Sequence, residues 1–223
     1  IIIIAFLFTF SAVGYFGIFI SAILIIINYN KIKYLIIGAF FVPAFLLIAY
    51  LKVNEIKLRV DGTYEVLTGT TPLVSTNWST FSLISNWEIG FISFLKDPVL
   101  GGGLGSHPVS YRKNIHKVLG DEIGKLEEGV SLIPLNVEDA GSLFNRLLSE
   151  TGLFGLVSFI IFIIKGHISR KTDQSKYLWI INNAIMVFFV LKLLRGGHYF
   201  MYGVFLFFWA YYFSKVKSLS LKV

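Results

Sequence analysis

Long apolar runs alternate with polar stretches along the chain, and one polar stretch, from Lys52 to Thr151, is much longer than the others. A helix that crosses a bilayer needs about 20 mostly apolar residues. A run from Leu153 to Ile164 is long enough only if its helix begins earlier, near Ser142 or Leu147. The other apolar runs cover residues 1–27, 34–51, 177–194 and 198–213. The pattern therefore predicts an all-α polytopic membrane protein with about five transmembrane helices.

Basic residues mark one side of the predicted bundle. The short loops at 28–33 and 165–176 and the tail at 214–223 contain lysine or arginine, which accumulate on the cytoplasmic side of membrane proteins. These segments share a side when five spans alternate, so the long loop and the 195–197 turn are expected on the extracytoplasmic face. The predicted organisation is two transmembrane helices in 1–51, one large extracytoplasmic loop with amphipathic or partly inserted helices in 52–151, and three transmembrane helices with a cytoplasmic tail in 152–223.

The composition is typical of a protein that is embedded in a membrane. Hydrophobic residues make up 55% of the chain and charged residues 15%, whereas soluble domains contain about 25% charged residues. The net charge of +7 comes largely from the basic short loops and tail, so no nucleic-acid partner is expected. There is no cysteine, which excludes disulfides and cysteine chemistry. Because the chain opens on Ile1 to Ile4, we expect it to be a C-terminal part of a longer protein with further membrane helices.

The large loop is predicted to contain one well-defined helix. Residues 52–76 show no helical period, so extended or irregular structure is expected there. Ser85 and Glu88 fit a capping box that begins a helix, and Asp97-Pro98 ends it. Several large apolar residues share one face of this helix: Trp87, Phe91, Phe94 and Leu95. Such a face either lies in the outer leaflet of the membrane or packs on neighbouring helices.

Two groups of residues can carry chemistry. The run from Gly101 to Ser106 lacks the lysine of a P-loop, so a flexible turn is favoured over a cradle for an anion. Arg146 and Glu150 lie four residues apart on the helix that enters the membrane, where they form an ordinary ion pair or line a polar cavity. Arg195 ends a neighbouring span, and either snorkels to the interface or joins Arg146 and Arg112 around one anionic group.

Histidines are the other candidates for chemistry. His107 follows the glycine run and His198 follows the 195–197 turn, so each can serve as a proton acceptor on the outer face or have a structural role. His116 is expected at the surface and His167 in a cytoplasmic turn. The chain has no HExxH and no paired histidine–carboxylate spacing, so neither a metal nor another cofactor is expected.

A longer pattern resembles a known family. Trp87 is followed by Asp97-Pro98-Val99-Leu100-Gly101-Gly102-Gly103-Leu104-Gly105. This is similar to the signature of the O-antigen ligase and polymerase superfamily, in which a tryptophan-bearing helix leads into a (D/N)P-hydrophobic-hydrophobic-G-x-G-hydrophobic-G run on the large extracytoplasmic loop. The second stretch, Glu150-Thr151-Gly152-Leu153-Phe154-Gly155, resembles the E-x-G-hydrophobic-hydrophobic-G entry of that family into its next membrane helix. The two stretches also occur in the order that the family shows.

The resemblance implies a C-type glycosyltransferase-like protein of the cytoplasmic (inner) membrane, which moves a glycan from an undecaprenyl-pyrophosphate carrier to an acceptor hydroxyl. The ligase branch has a histidine eleven positions before the glycine that matches Gly152, and this chain has Gly141 there. This departure favours the polymerase branch, which extends repeat units into O-antigen or capsular polysaccharide. The alternatives are the ligase and a transporter or flippase component. The implied partners are the lipid-linked glycan, the bilayer, and chain-length regulator and flippase membrane proteins.

The implied chemistry and the shared outer-face position of the candidate residues suggest a role for each. Arg146 and Arg195 are expected to hold the pyrophosphate with help from Arg112, because guanidinium groups match phosphate oxygens and stabilise this leaving group without a metal. The glycines expected to approach the substrate are Gly101, Gly103 and Gly105. A base beside the acceptor hydroxyl assists the attack, and the candidates for it are His107, Glu150 and His198.

Overall fold

The computed structural model describes residues 12–28, 33–120, 136–169, 176–199 and 203–220. In these ranges 82% of the residues are helical and none forms a strand, which confirms the all-α class. The helices are α1 (Ala12–Asn28), α2 (Lys33–Lys52), α3 (Asn54–Leu67), α4 (Trp78–Lys96), α5 (His107–Leu119), α6 (Leu143–Gly166), α7 (Lys176–Leu194) and α8 (Val204–Ser220). Short 3-10 helices cover Leu73–Ser75 and Val137–Asp139.

Two of these helices, α6 and α7, are long and apolar enough to cross a membrane. Helix α6 starts at Leu143 in the polar segment, as predicted, but its backbone is not helical at Gly152, so the run from Leu153 to Ile164 continues the earlier turns only across a break. A shorter apolar helix covers Val13–Ile27, and α2 contains Pro43 in its interior. The count of five spans, the sidedness of the loop and the three-part division of the chain stay predictions.

Residues 54–67 contradict the expectation of extended or irregular structure, because they form α3. Its apolar residues recur at helical spacing on one side: Ile56, Val60, Tyr64 and Leu67. All four are exposed. Gly62 and Thr63 interrupt the pattern in the sequence, and both residues have low helix propensity. Because of this interruption, the helical spacing of the apolar residues was not recognised in the sequence.

The capping box at Ser85 is also wrong as a helix start. Helix α4 begins seven residues earlier at Trp78, and Asn77 is its N-cap, whose side chain accepts a hydrogen bond from the Thr80 amide at 3.0 Å. Asparagine caps helices as well as serine does. The helix therefore begins after Asn77, and Ser85 is a fully buried residue in its interior. The helix ends at Lys96, directly before Asp97-Pro98, as predicted.

The predicted last span, residues 198–213, is displaced toward the C-terminus in the described residues. Helix α8 starts at Val204 and runs to Ser220. Gly203 precedes it with a φ of 69°, a left-handed conformation that does not continue a right-handed helix.

One compact unit comprises residues 1–38, 158–195 and 199–223. In it α7 packs against both α1 and α8. Rings from α6, α7 and α8 form one aromatic cluster, which contains Phe159, Phe162, Phe189, Phe208 and Tyr211. Edge-to-face and tilted ring pairs of this kind add to the stabilisation from packing alone.

A buried asparagine, Asn182 on α7, ties the end of α6 into this unit. Its Nδ2 donates to the Gly166 carbonyl at 3.0 Å and to Ser214 Oγ at 2.8 Å, and its Oδ1 accepts from the Ile168 amide at 2.9 Å. The last carbonyls of a helix have no partner within the helix. Asn182 supplies one from a neighbouring helix.

The second compact unit comprises residues 39–157 and 196–198. Helix α4 packs against α5, and α5 packs against the 3-10 helix Val137–Asp139. Its apolar core contains Leu73, Phe81, Ile89, Tyr111, Ile115, Leu119 and Val137. This packing positions the segment of residues 97–106 that joins α4 to α5, which we call the glycine loop, close to the first turns of α6.

Candidate functional site

The glycine loop and α6 exchange backbone hydrogen bonds where α6 is interrupted. The amides of Gly102 and Gly103 donate to the carbonyls of Ser149 and Glu150, both at 2.9 Å. In return, the amides of residues 153 and 154 donate to the carbonyls of residues 98 and 99, at 2.9 and 3.1 Å. In a regular helix the residue 149 and 150 carbonyls would accept from the residue 153 and 154 amides. The two stretches that carry the family resemblance are therefore in direct contact.

Gly152 and Gly101 make this exchange sterically feasible. Gly152 has φ 59° and ψ −157° inside α6, a combination that is essentially restricted to glycine. A Cβ on Gly152 would lie 2.5 Å from the Val99 carbonyl oxygen, and a Cβ on Gly101 would lie 2.5 Å from the Glu150 carbonyl carbon. Gly103 and Gly105 also have positive φ, but a Cβ on either would meet nothing within 4 Å. Gly101 and Gly152 are needed because the loop and α6 backbones approach closely there. Gly103 and Gly105 are needed because the loop adopts left-handed backbone conformations at those positions.

The carboxylate of Glu150 is fully buried beneath the glycine loop. Its Oε2 accepts from the Gly105 amide at 2.8 Å, and its Oε1 accepts from the His107 amide at 3.3 Å and from Arg146 Nε at 3.1 Å. His107 is the first residue of α5, and the N-cap residue Ser106 provides no side-chain cap. An anion at a helix N-terminus is favoured by the free amides and the helix dipole. Glu150 therefore caps α5 from another helix.

Arg146 is the positive partner of this buried carboxylate. Its side chain is 8% exposed and forms an ion pair with Glu150. Its Nη1 donates to the carbonyl of Glu138 at 2.7 Å and to that of Gly197 at 3.3 Å. A buried charge is tolerated only when it is paired and hydrogen-bonded. Arg146 thus links α6 to the 3-10 helix before it and to the 196–198 turn.

His107 lies fully buried between two polar side chains. Its Nε2 is 3.0 Å from Asn86 Oδ1, and its Nδ1 is 3.1 Å from Ser149 Oγ. Asn86 Nδ2 donates to the Ser82 carbonyl at 2.7 Å, so Asn86 Oδ1 is the acceptor and we assign the ring proton to Nε2. Burial, and then the charge of Arg146, lower the pKa of His107 to about 4. The ring is therefore neutral at pH 7. Its Nδ1 and the Arg146 carbonyl, 3.1 and 3.2 Å from Ser149 Oγ, compete for the one hydroxyl proton of Ser149.

Six of the predicted site residues meet in this place, and three do not. His107, Arg146 and Glu150 form one polar cluster with Asn86 and Ser149, and Gly101, Gly103 and Gly105 belong to the loop above it. Arg112 is exposed on α5. Arg195 belongs to the other compact unit and is half-buried. His198 is half-buried next to Gly197, whose carbonyl accepts from Arg146. The proposed roles of all nine residues stay predictions.

The glycine amides have internal partners among the described residues. Those of Gly101, Gly102 and Gly103 donate to backbone carbonyls, and that of Gly105 donates to Glu150. The anion at this loop is thus the side chain of Glu150. Binding of a substrate pyrophosphate by the same amides would require this carboxylate to be displaced.

Sequence reasoning missed Asn86 and Ser149. On α4 the small and polar residues recur at helical spacing, at Ser82, Ser85, Asn86 and Ser93, and all four are buried. That periodicity was available in the sequence, but the apolar residues of the same helix gave the stronger pattern. Ser149 has no comparable signal, because its contact with His107 spans 42 positions.

Comparisons with protein-family models, with curated proteins and with solved structures find no match to this chain. Within the described residues, no group of three or more histidine, aspartate and glutamate side chains is arranged to hold a metal ion. The interpretation of the site therefore depends on its geometry and on the resemblance of its two motifs.

Removing both partners of the buried ion pair is expected to destabilise the protein by less than the sum of the two single losses. Glu150→Leu and Arg146→Met each leave an uncompensated buried charge, which costs about 3–5 kcal/mol. We expect the double variant to recover about 1–3 kcal/mol of the summed loss, measured as the melting temperature of the purified protein in detergent. Lys113→Met, at an exposed position of α5, is the control. Strictly additive losses would contradict a direct pair.

The burial of His107 predicts a stability loss in acid. The unfolded chain takes up the proton with a pKa near the ordinary 6.5, whereas the folded protein does so at about 4. Stability is therefore complete above pH 6.5 and falls as the pH drops from 6.5 toward 4, by about 2 kcal/mol at pH 5. Melting of the wild type should shift over this range, and that of His107→Gln should shift less. His116→Gln, exposed on the same helix, should behave as the wild type; equal shifts in all three would refute the assignment.

Proposed function

We propose that this protein polymerises undecaprenyl-pyrophosphate-linked oligosaccharide repeat units into O-antigen or capsular polysaccharide at the outer face of the cytoplasmic membrane. The observation that carries the proposal is the contact between the two resembling stretches. The loop that begins at Asp97 and the helix entry at Glu150–Gly155 are separated by more than forty residues, yet their backbones pair at Gly102 and Gly103. Family-like motifs that are distant in sequence and joined in space support one functional site.

The reaction is a displacement at the anomeric carbon of the lipid-linked sugar. A hydroxyl of another repeat unit forms the new C–O bond, the bond from carbon to the pyrophosphate oxygen breaks, and the lipid pyrophosphate leaves with the bonding electrons. The hydroxyl proton goes to a base on the protein. The developing charge on the leaving group requires cationic donors, and arginine supplies them in a planar, bidentate arrangement.

Burial separates the candidate residues into those that hold the site together and those that can reach a substrate. Glu150 and His107 are fully buried with their polar atoms already paired, so in our proposal they hold the loop and α5 in place. Arg146 shares this cluster and contributes a fixed positive charge below the loop. Arg112 is exposed on α5 of the same unit and is then the arginine that can reach a pyrophosphate from solvent.

His198 is the strongest candidate for the base. Of the three proposed proton acceptors it alone is partly exposed, so an acceptor hydroxyl can reach it. Its position is also tied to the cluster, because the carbonyl of the preceding Gly197 accepts from Arg146. A histidine with access to substrate at near-neutral pH is a suitable general base.

The test is complementation of a deletion strain with the full-length protein, followed by analysis of the lipid-linked glycans. We expect the deletion to accumulate carrier lipid with a single repeat unit. The wild type should restore long polymer, and His198→Ala should lower the amount of polymer at least about 100-fold, the scale of general-base catalysis. His116→Ala, at an exposed position on α5, is the matched control and should restore polymer fully.

Other outcomes separate the alternatives. Long polymer that stays on the carrier after deletion would indicate a ligase, and a loss of glycan export without either intermediate at the outer face would indicate a transporter component. Full activity of His198→Ala at wild-type protein levels would remove His198 as the base.

A further inference from the structure

Helix α4 buries an unusually polar face and exposes an apolar one. Its buried face contains Phe81 and Ile89 of the apolar core, but its other buried residues are polar or small: Thr80, Ser82, Ser85, Asn86, Gly90 and Ser93. The opposite face contains large apolar residues at every fourth position: Leu83, Trp87, Phe91 and Leu95. These four side chains are between 42% and 62% exposed. We call them the α4 stripe.

The buried polar face is stabilised by hydrogen bonds. Asn86 binds His107 and the Ser82 carbonyl, and its own carbonyl accepts from Asn145 Nδ2. Ser85 contacts the Tyr111 hydroxyl. The side chains of the stripe, by contrast, gain little from burial within the unit. Complete burial of one large apolar side chain is worth roughly 1.5–3 kcal/mol, so four of them facing water would be a considerable loss.

The apolar surface continues from the stripe onto the glycine loop and α6. Val99 and Leu100 are exposed and follow the end of α4 after Asp97 and Pro98, which are also exposed. Val99 pairs through its carbonyl with the amide of Phe154, which is 67% exposed. Phe154 belongs to α6, one of the two helices long and apolar enough to cross a membrane. The exposed apolar residues of α4 and the loop are therefore joined to a helix whose own apolar residues suit hydrocarbon.

Charged residues lie beside the stripe and not within it. Glu88 is at its edge, one position after Trp87, and Lys96 is at the last position of α4, where its Nζ lies 3.4 Å from Asn114 Oδ1. From Leu83 to Leu95 the stripe itself holds no ionisable group. Trp87 also stacks on Phe144 of α6, with ring centroids 5.7 Å apart, so the stripe is fixed to the same helix.

We propose that the α4 stripe and the adjoining Val99, Leu100 and Phe154 contact the acyl chains of the bilayer. The second unit is then embedded in lipid along this face, with its polar residues inside, and is not a loop surrounded by water. The Arg146–Glu150–His107 cluster lies behind the buried face of this helix, where Asn86 contacts His107. This inference does not depend on the reaction that the protein catalyses.

The test is spin-label accessibility in liposomes. These 223 residues contain no cysteine, so Leu83→Cys, Trp87→Cys, Phe91→Cys and Leu95→Cys can each be labelled without removing another cysteine from this part of the protein. The protein is reconstituted in phosphatidylethanolamine–phosphatidylglycerol liposomes. Apolar O2 and the polar complex Ni-EDDA then compete as relaxing agents. We expect O2 to relax all four labels more strongly than Ni-EDDA does, and the exposed control Lys113→Cys on α5 to show the reverse order.

Two results would overturn the proposal. Stronger relaxation by Ni-EDDA at the stripe positions would mean that the face is in water. Weak relaxation by both agents would mean that another protein surface, such as a second copy of this chain, covers it. Leu100→Cys in the glycine loop gives an independent reading if a substitution on α4 fails to fold. Because no activity is measured, failure here leaves the proposed polymerase function intact, and loss of that function leaves this result intact.

Discussion

The buried carboxylate of Glu150 is the contact on which the second compact unit depends. It accepts from the amides of Gly105 and His107 and from Arg146, and these three donors come from the glycine loop, the start of α5 and α6 itself. A carboxylate can be buried only with such partners. Each of the three elements therefore requires the other two, and the order of this region is cooperative.

The interruption of α6 at Gly152 explains how a loop can be attached to a helix that is apolar enough to cross a membrane. Backbone groups away from water need partners, and a break in a helix frees both carbonyls and amides. The glycine loop satisfies these groups through residues 98, 99, 102 and 103. A loop held at a helix that is apolar enough to cross a membrane is a suitable place for a site that acts on a lipid-linked substrate, so the proposed polymerase function and the proposed lipid contact of α4 are compatible.

The parts of the site that follow from local spacing were predictable, and those that follow from tertiary contacts were not. Arg146 and Glu150 were paired correctly because four residues make one helical turn. The cap that Glu150 provides for α5 joins residues 45 positions apart and has no local signal. Ser85 and Glu88 were assigned to a capping box and Asn86 was missed, because a buried polar face on an outwardly apolar helix is unusual in soluble proteins. The convergence of Arg112, Arg146 and Arg195 was inferred only because all three are predicted on the same side of the membrane. A shared side does not determine the direction in which a side chain points.

Hydrogen exchange measured by mass spectrometry tests the central role of Glu150 most directly. In the wild type, the amides of residues 102–107 should be protected, although they lie in a segment without regular helix. In Glu150→Ala their protection should be lost, while peptides from α7, in the other unit, keep theirs. Unchanged protection of residues 102–107 in the folded variant would contradict the account, because the loop would then be held by something other than this carboxylate.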